Sequence, residues 1–211
     1  MCRYDIIRTS KYKVNMKKIL FCFLITFCLF SFSIHAKNRL RFNTSMSSKV
    51  DEYKNDKTSK SFDSGYSNSA KGNDVHLILS NNLGLGYSKS EVSTEPDNFV
   101  GKLTLESTTY SLSFLFGDDE LNYQLGINIT GDTKISELTV DGIDYAGVYD
   151  YNTDKCRNYF LNFGGNVNES IELVFGLSSW EVSTDVNYNA LNLAKFSSKY
   201  NLYNVGIGIL F

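Results

Sequence analysis

Histidine is scarce in this chain, with His35 and His76 alone among 211 residues, and cysteine is hardly commoner at four. Cys2, Cys22, Cys28 and His35 all fall within the first 36 residues, so the rest keeps one histidine, His76, and one cysteine, Cys156. Such a pair, far apart in sequence, supplies no ligand set for a metal and no internal disulfide. A basic surplus is missing too. Residues 1–36 hold six of the 21 basic groups and one of the 23 acidic ones, leaving 15 and 22 beyond, a net charge of −7. Nucleic acid is not an expected partner of such a surface. No apolar run reaches the ~20 residues of a membrane helix. An apolar content of 42% with 21% charged residues excludes disorder and a polytopic helical membrane protein.

Aromatic residues and glycine are plentiful: 15 Phe, 14 Tyr and 15 Gly against one Pro, three Met and one Trp. Side chains of that kind fit a pleated surface and favour strands over helices. The chain divides into three parts. From Met16, Met-Lys-Lys leads into the charge-free stretch Ile19–Ser33 and then Ile34-His35-Ala36, the pattern of a secretory signal peptide cleaved after Ala36. Residues 1–36 are assigned to it, with Met16 as the true start. Residues 37–73 hold eight basic and four acidic groups with almost no apolar run, and are expected to be a polar, flexible leader, in which Leu40, Phe42, Thr44 and Met46 alternate weakly and make one strand or nothing. Residues 74–211 form the folded body, one domain by length.

The body has a period of two. Val75, Leu77, Leu79, Leu83, Leu85 and Tyr87 predict one 13-residue strand. Leu103 and Leu105 start another, which Tyr110, Leu112, Phe114 and Phe116 continue on the opposite parity, implying a bulge near Ser107–Thr109. Gly117–Glu120 turns into Leu121, Tyr123, Leu125, Ile127 and Ile129, a hairpin. A second hairpin joins Tyr159–Val167 to Ile171–Leu177, and Tyr203–Phe211 forms the last strand. Two fainter strands, at about 133–140 and 143–150, flank Asp141-Gly142, a type I′ turn dipeptide, and either complete an eight-stranded sheet or form a hairpin standing out in a surface loop; the first is favoured. Together these predict an all-β fold, a closed antiparallel transmembrane β-barrel of eight strands, which encloses just enough space for side chains.

Alternation alone does not say which face meets water. Three features favour an apolar exterior: the export signal; a second face made of Gly, Asn and Ser and almost free of Lys and Arg; and the segment 204–211. In that segment Asn204, Gly206, Ile209 and Phe211 resemble the terminal-strand signal by which the assembly machinery of the bacterial outer membrane recognises its barrels. The chain as a whole resembles the small barrels of the opacity protein and outer membrane protein A barrel family. The resemblance implies eight strands, both ends in the periplasm, short periplasmic turns, long surface loops at 88–98 and 178–199, and residence in the cell outer membrane. Outer-membrane lipid and the barrel assembly machinery are the partners it implies, with a host or cell-surface ligand at the loops. Tyr87, Tyr110, Tyr123, Tyr159, Tyr203 and Phe211 stand at strand ends, where an interfacial aromatic girdle belongs, and Trp180 is placed on the same logic near the outer surface.

Chemistry finds little footing. His76 and Ser80 are expected to share the lumen near the periplasmic start of the first strand, away from any outer rim where lipid enzymes work. Asp118, Asp119 and Glu120 make an acidic turn. Asp141, Asp144, Asp150 and Asp154 match no calcium loop. No catalytic, cofactor or metal residue is assigned. The expectation is a non-enzymatic outer-membrane barrel with a structural or adhesin-like role; the alternative is a barrel that modifies lipid or handles small solutes.

Overall fold

The computed structural model describes residues 37–62, 65–97, 100–118, 120–189 and 191–211. The expected signal peptide and the expected start at Met16 lie outside the described residues. Eight long strands follow one another: β1 (Arg39–Asn55), β2 (Tyr66–Ile78), β3 (Leu83–Pro96), β4 (Gly101–Gly117), β5 (Leu121–Val140), β6 (Asp150–Asn166), β7 (Ile171–Tyr188) and β8 (Leu191–Leu210). Each pairs antiparallel with the next, and β8 pairs with β1 from Arg39↔Leu210 to Asn55↔Phe196, closing the ring. Asn38, Phe211 and the turns at 79–82, 118–120 and 167–170 mark one end, here the terminal end. The opposite, or tip, end carries the connections 56–65, 97–100, 141–149 and 189–190.

The eight strands are not the eight that alternation picks out. The supposed leader supplies β1 and more than half of β2. Its alternation is masked because the inward residues at its start are Arg39, Arg41 and Asn43, all buried. The run 75–87 is two strands joined by a turn in which the Asn82 amide donates to the Leu79 carbonyl at 2.8 Å and Asn82 adopts φ 68°. An even number of turn residues keeps the parity, so one strand is read where two exist.

Residues 133–140 are the continuation of β5, and Ile143–Asp144 only folds back on it around Asp141 (φ 52°) and Gly142 (φ 81°). The left-handed pair at Asp141-Gly142 is the turn expected, without the two barrel strands around it. Segments 88–98 and 178–199 are not long loops either; they are mostly strand, and the tips are short. Strands of 13 to 20 residues exceed the ~9–11 a membrane crossing needs.

The expected bulge at Ser107–Thr109 is absent. Leu103, Leu105, Ser107, Thr109, Ser111 and Ser113 are all buried on one unbroken inward face of β4, and Tyr110 and Leu112 are exposed on the other. What changes along the strand is which face is apolar. The extra residues sit on β5, where Ser136 and Ile129 are skipped between the pairs Thr104↔Glu137, Leu105↔Ile135 and Tyr110↔Thr130, Ser111↔Asn128.

This exchange of faces is general and divides the molecule into two storeys. Near the terminal end the outside is apolar, with Leu85, Leu112, Leu125, Ile127, Phe175 and Ile207 exposed, while the inside is polar. Toward the tips the outside carries Lys89, Glu91, Lys134, Glu181 and Lys199, and the inside is a core of Tyr53, Val92, Leu105, Ile135, Trp180, Val182 and Tyr200.

The wall changes with it. β1 and β2 pair only from Arg39↔Ile78 to Thr44↔Asn73, and β5 and β6 only from Leu121↔Gly165 to Ile127↔Tyr159. Beyond those points side chains replace the ladder. Ser45 Oγ and Ser48 Oγ accept from the amides of Gly72 (2.8 Å) and Ala70 (3.2 Å), and Asn128 bridges to the Cys156 carbonyl (2.7 Å) and the Asn158 amide (2.9 Å). The tip storey is therefore a sandwich of two four-stranded sheets, β2–β5 and β6–β8 with β1. Full closure is obligatory only in hydrocarbon, where unpaired amides find no water.

Candidate functional site

In the terminal storey the inward side chains form one polar network. Glu172 on β7 receives Arg41 Nε at 2.7 Å and Arg39 Nη1 at 2.8 Å, and Arg41 Nη2 reaches its second oxygen at 3.0 Å. Arg41 also donates to Asn122 Oδ1 and, at 3.0 Å, to Gln124 Oε1, which accepts from Asn162 Nδ2 at 3.1 Å. Gln124 Nε2 in turn donates to Ser113 Oγ at 2.9 Å. Strands β1, β4, β5, β6 and β7 are thus tied across the barrel axis, and every one of these groups is buried. Gly208 is what admits Glu172, because a Cβ there would collide with its carboxylate. A buried charge costs several kcal/mol unless paired, so this network holds only as a complete set.

His76 lies just above, buried, with Nε2 2.8 Å from Asp74 Oδ1 and its ring 4.5 Å from that of Phe160. It stands at the far end of β2, close to the terminal end of the barrel, and not at a strand start. Ser80 does not join it: it is exposed in the turn, its amide bonded to Asn38 Oδ1 at 2.9 Å.

An apolar band wraps this storey. Leu121–Ile129 spans eight rises of about 3.3 Å tilted roughly 40°, on the order of 20 Å, close to the ~25 Å of a barrel's apolar belt. Tyr87, Tyr110, Tyr159 and Tyr203 run round its tip-side edge, with Tyr87 opposite Tyr110 and their rings 5.4 Å apart. Tyr123 belongs to the other edge, its ring 5.5 Å from Phe163, on the same side as Phe211. All six are 38% to 63% exposed. An apolar exterior around a polar, packed interior is the arrangement of a transmembrane β-barrel.

Of the residues expected to form a C-terminal assembly signal, Asn204, Gly206 and Ile209 lie on the closing strand and Phe211 follows it directly. Asn204 points inward, its Nδ2 3.4 Å from Ser178 Oγ. Gly206 pairs with both Asn43 and Val174, and Ile209 pairs with Leu40 and Ile171 while facing out. Phe211 exchanges two backbone bonds of 3.0 Å with Asn38.

Trp180 is not at the surface. It is 3% exposed inside the tip storey and stacks on Tyr200 at 6.1 Å between centroids. Tyr200 hydroxyl meets Ser90 Oγ at 2.6 Å and Tyr53 hydroxyl donates to the Leu103 carbonyl at 3.3 Å, fastening one sheet to the other. Burial pushes the Tyr53 and Tyr200 hydroxyls well above their ordinary pKa, so both remain neutral donors. Cys156 also packs against this core from within β6, and burial raises its thiol pKa, which makes it a poor nucleophile.

The outside of the tip storey is a charged collar. Lys155 and Lys199 meet Glu181 at 2.9 and 3.8 Å, Lys195 meets Asp154 at 2.7 Å, and Lys89 meets Glu106 at 2.8 Å. Hydrogen bonds from those lysines hold the carboxyls of Glu181, Asp154 and Glu106 below the usual range. Of the acidic tip residues, Asp144 accepts from the amides of Ala146 (2.9 Å) and Leu138 (3.2 Å), which lowers its pKa and shapes the turn. No group of three metal-ligating side chains occurs among the described residues. Sequence reasoning missed the Arg39–Arg41–Glu172 network, although two arginines two apart in an otherwise strand-like stretch were its visible signal.

No family model matches the chain, and no curated protein matches it. Among solved structures it is similar to Neisserial surface protein A, with 11% identity over 82% of this chain and 97% of that one and a TM-score of 0.47. It is likewise similar to the outer membrane protein OprG from Pseudomonas aeruginosa, with 11% identity over 83% and 96% and a TM-score of 0.45. The outer membrane protease OmpT from Escherichia coli matches at 12% identity over 83% and 79%, with a TM-score of 0.39.

Proposed function

We propose that the chain is a non-enzymatic barrel of the bacterial outer membrane, placed there by the assembly machinery, whose tip storey is a surface-interaction element of adhesin type. The observation that carries this reading is the exchange of faces along the strands. Above the tyrosine row the molecule has the build of a water-soluble domain, charged outside and apolar inside, and it is held clear of the apolar band on the same eight strands. Such a domain has no part in anchoring; it presents a stable, shaped surface and four short tips to whatever lies beyond the membrane.

Solute transport is disfavoured by the same geometry. The axis is crossed by the Arg39–Arg41–Glu172 network below and filled by Trp180, Tyr200 and Leu105 above. Lipid modification is disfavoured by the position of His76, buried among Asp74 and Phe160 and away from the rim.

The test is display of the full chain on a bacterial host, with cell-to-cell aggregation and attachment to host cells as readouts. Replacing the tip Asp141–Tyr149 by a Gly-Ser linker of equal length should abolish attachment while folded protein in the outer membrane stays constant. Undiminished attachment after replacement of each of the four tips would overturn the adhesive reading, and recovery of the protein in a soluble fraction would overturn the membrane reading.

A further inference from the structure

Three polar side chains point into the barrel where the polar interior of the terminal storey gives way to the core of the tip storey: Ser88 on β3, Asn158 on β6 and Asn204 on β8. They are 1% to 5% exposed. Ser88 Oγ, Asn158 Oδ1 and Asn204 Oδ1 nevertheless meet no hydrogen-bond partner among the described residues. Buried polar atoms in folded proteins are almost always paired, so each of the three calls for a partner. All three residues line one cavity, whose apolar lining is Phe160, Trp180 and Leu202. The centre of a water-sized sphere has about 10 Å³ there, which is room for a single small guest.

The free atoms define that guest. Asn204 spends its Nδ2 on Ser178 Oγ at 3.4 Å, and Ser178 Oγ also accepts from Trp180 Nε1 at 3.2 Å, so the Asn204 amide presents its oxygen. An amide oxygen only accepts, whereas a serine hydroxyl also donates. Two acceptors and one donor are the complement of one water molecule, which forms roughly three hydrogen bonds when buried. A cation is the poorer fit. Asp74 also lines the cavity, but its Oδ1 is engaged by Asn43 Nδ2 and lies 2.8 Å from His76 Nε2. Asp74 and Glu172 together match the charges of Arg39 and Arg41, so an added cation would stand uncompensated in a buried interior.

The cavity has a way in from the side. Gly72, Asn73 and Lys89 line it and also line a polar notch of about 350 Å³ on the outer face, where β1 and β2 part. A Cβ on residue 72 would come within 2.7 Å of Leu202 Cδ1 and 3.0 Å of the Lys89 carbonyl, so the glycine leaves space that any larger residue would take.

We infer that this cavity is a binding site for one ordered water, which accepts from the Ser88 hydroxyl, donates to Asn158 Oδ1 and Asn204 Oδ1, and exchanges through the β1–β2 seam. It ties β3 of one sheet to β6 and β8 of the other at the level where the two storeys join. The inference rests on neither the membrane nor the adhesive reading.

The experiment is X-ray radiolysis of the full protein refolded in detergent, with mass spectrometry of oxidised side chains and heat-modifiable gel mobility as the check of folding. Radicals born from a bound water mark its neighbours, so Phe160 should be labelled roughly fivefold more than the fully buried Tyr53 after correction for ring reactivity. Ser88→Val, which removes the hydroxyl and fills space, should bring Phe160 down to the level of Tyr53; Asn158→Leu replaces it if the first fails to fold. After a rapid switch to heavy-oxygen water, Gly72→Ala should slow the appearance of heavy oxygen on Phe160 while leaving the exposed Tyr87 unchanged. Phe160 labelled no more than Tyr53 in the wild type, or labelled equally in the wild type and the folded variants, overturns the water site. A urea midpoint raised by sodium or potassium chloride and not by choline chloride of equal strength would put an ion there and overturn it too. Heavy-oxygen uptake unchanged by Gly72→Ala overturns the side entrance.

Discussion

Leu85 and Val92 stand seven residues apart on β3 and face opposite ways: Leu85 is 56% exposed on the apolar band, and Val92 is wholly buried between the two sheets of the tip storey. Polar substitutions at the two should therefore fail differently. Leu85→Arg should lower the folded fraction in lipid vesicles by roughly 2–4 kcal/mol, the cost of a cation in the belt of a barrel. Val92→Asp should insert, because the band is intact, yet lose on the order of 3 kcal/mol from the sandwich through a buried unpaired group. Limited proteolysis of the tip storey after insertion, with gel mobility for the band, separates the two.

Ile127 and Asn128 make a sharper comparison within the bilayer. Ile127→Arg, half exposed on the band, should impair insertion by the same 2–4 kcal/mol. Asn128→Ala should insert, and cost about 1–2 kcal/mol by removing the two bonds that stitch β5 to β6. Urea titration in vesicles is the measurement, and an Ile127→Arg variant as stable as the wild type would reverse the facing of the strand.

Glu172→Ala leaves two buried guanidinium groups without their shared carboxylate, and about 3–5 kcal/mol of barrel stability should go with it. Replacing the set together, Arg39→Met, Arg41→Met and Glu172→Met, should recover most of the loss. A triple variant no more stable than Glu172→Ala, by urea midpoint in vesicles, would argue that the network acts through something other than charge compensation.

Deleting Phe211 should reduce folded protein in the membrane far more than Asn201→Asp. Phe211 adds the last backbone pair of the closing seam, with Asn38, whereas Asn201 lies outside the expected signal and donates to the exposed Asp51. Quantified outer-membrane fractions of the two variants decide the matter, and equal yields would count against the terminal strand as the assembly element.

Acid should loosen the tip storey first. Glu106, Asp154 and Glu181 have folded-state pKa values below their unfolded ones, so the stability they add is full above the ordinary carboxylate range and is lost as pH falls through the depressed values. Between neutrality and about pH 3, protease resistance of the tips should drop while the heat-modifiable band persists. Tips that remain as resistant at pH 3 as at pH 7 would show that the collar's ion pairs add nothing measurable, the usual fate of exposed pairs.

The chain showed its membrane storey plainly in its sequence and hid the other. Where Leu121 to Ile129 alternate with Asn and Gln, the outside is lipid and the inside polar, and the period of two is clean. Where a strand leaves the band, the apolar residues move to the other parity, and Leu103 and Leu105 then mimic a bulge relative to Tyr110. β1 was the hardest to see, because its inner face begins with two arginines whose partner, Glu172, is 131 residues from Arg41 in sequence. The alternation of Leu40, Phe42, Thr44 and Met46 is only a weak local sign of a strand whose charges are balanced from the far wall.

The charged collar also bears on how the molecule reaches its place. Insertion from the side of the chain termini must carry Lys89, Glu106, Lys155, Glu181 and Lys199 through hydrocarbon before the band can settle, and each ion pair loses its hydration on the way. The resulting barrier belongs to the path and vanishes from the end state, so the collar is expected to slow unaided insertion without weakening the finished barrel. A catalyst that thins or opens the bilayer at the moment of entry removes that delay without altering the equilibrium.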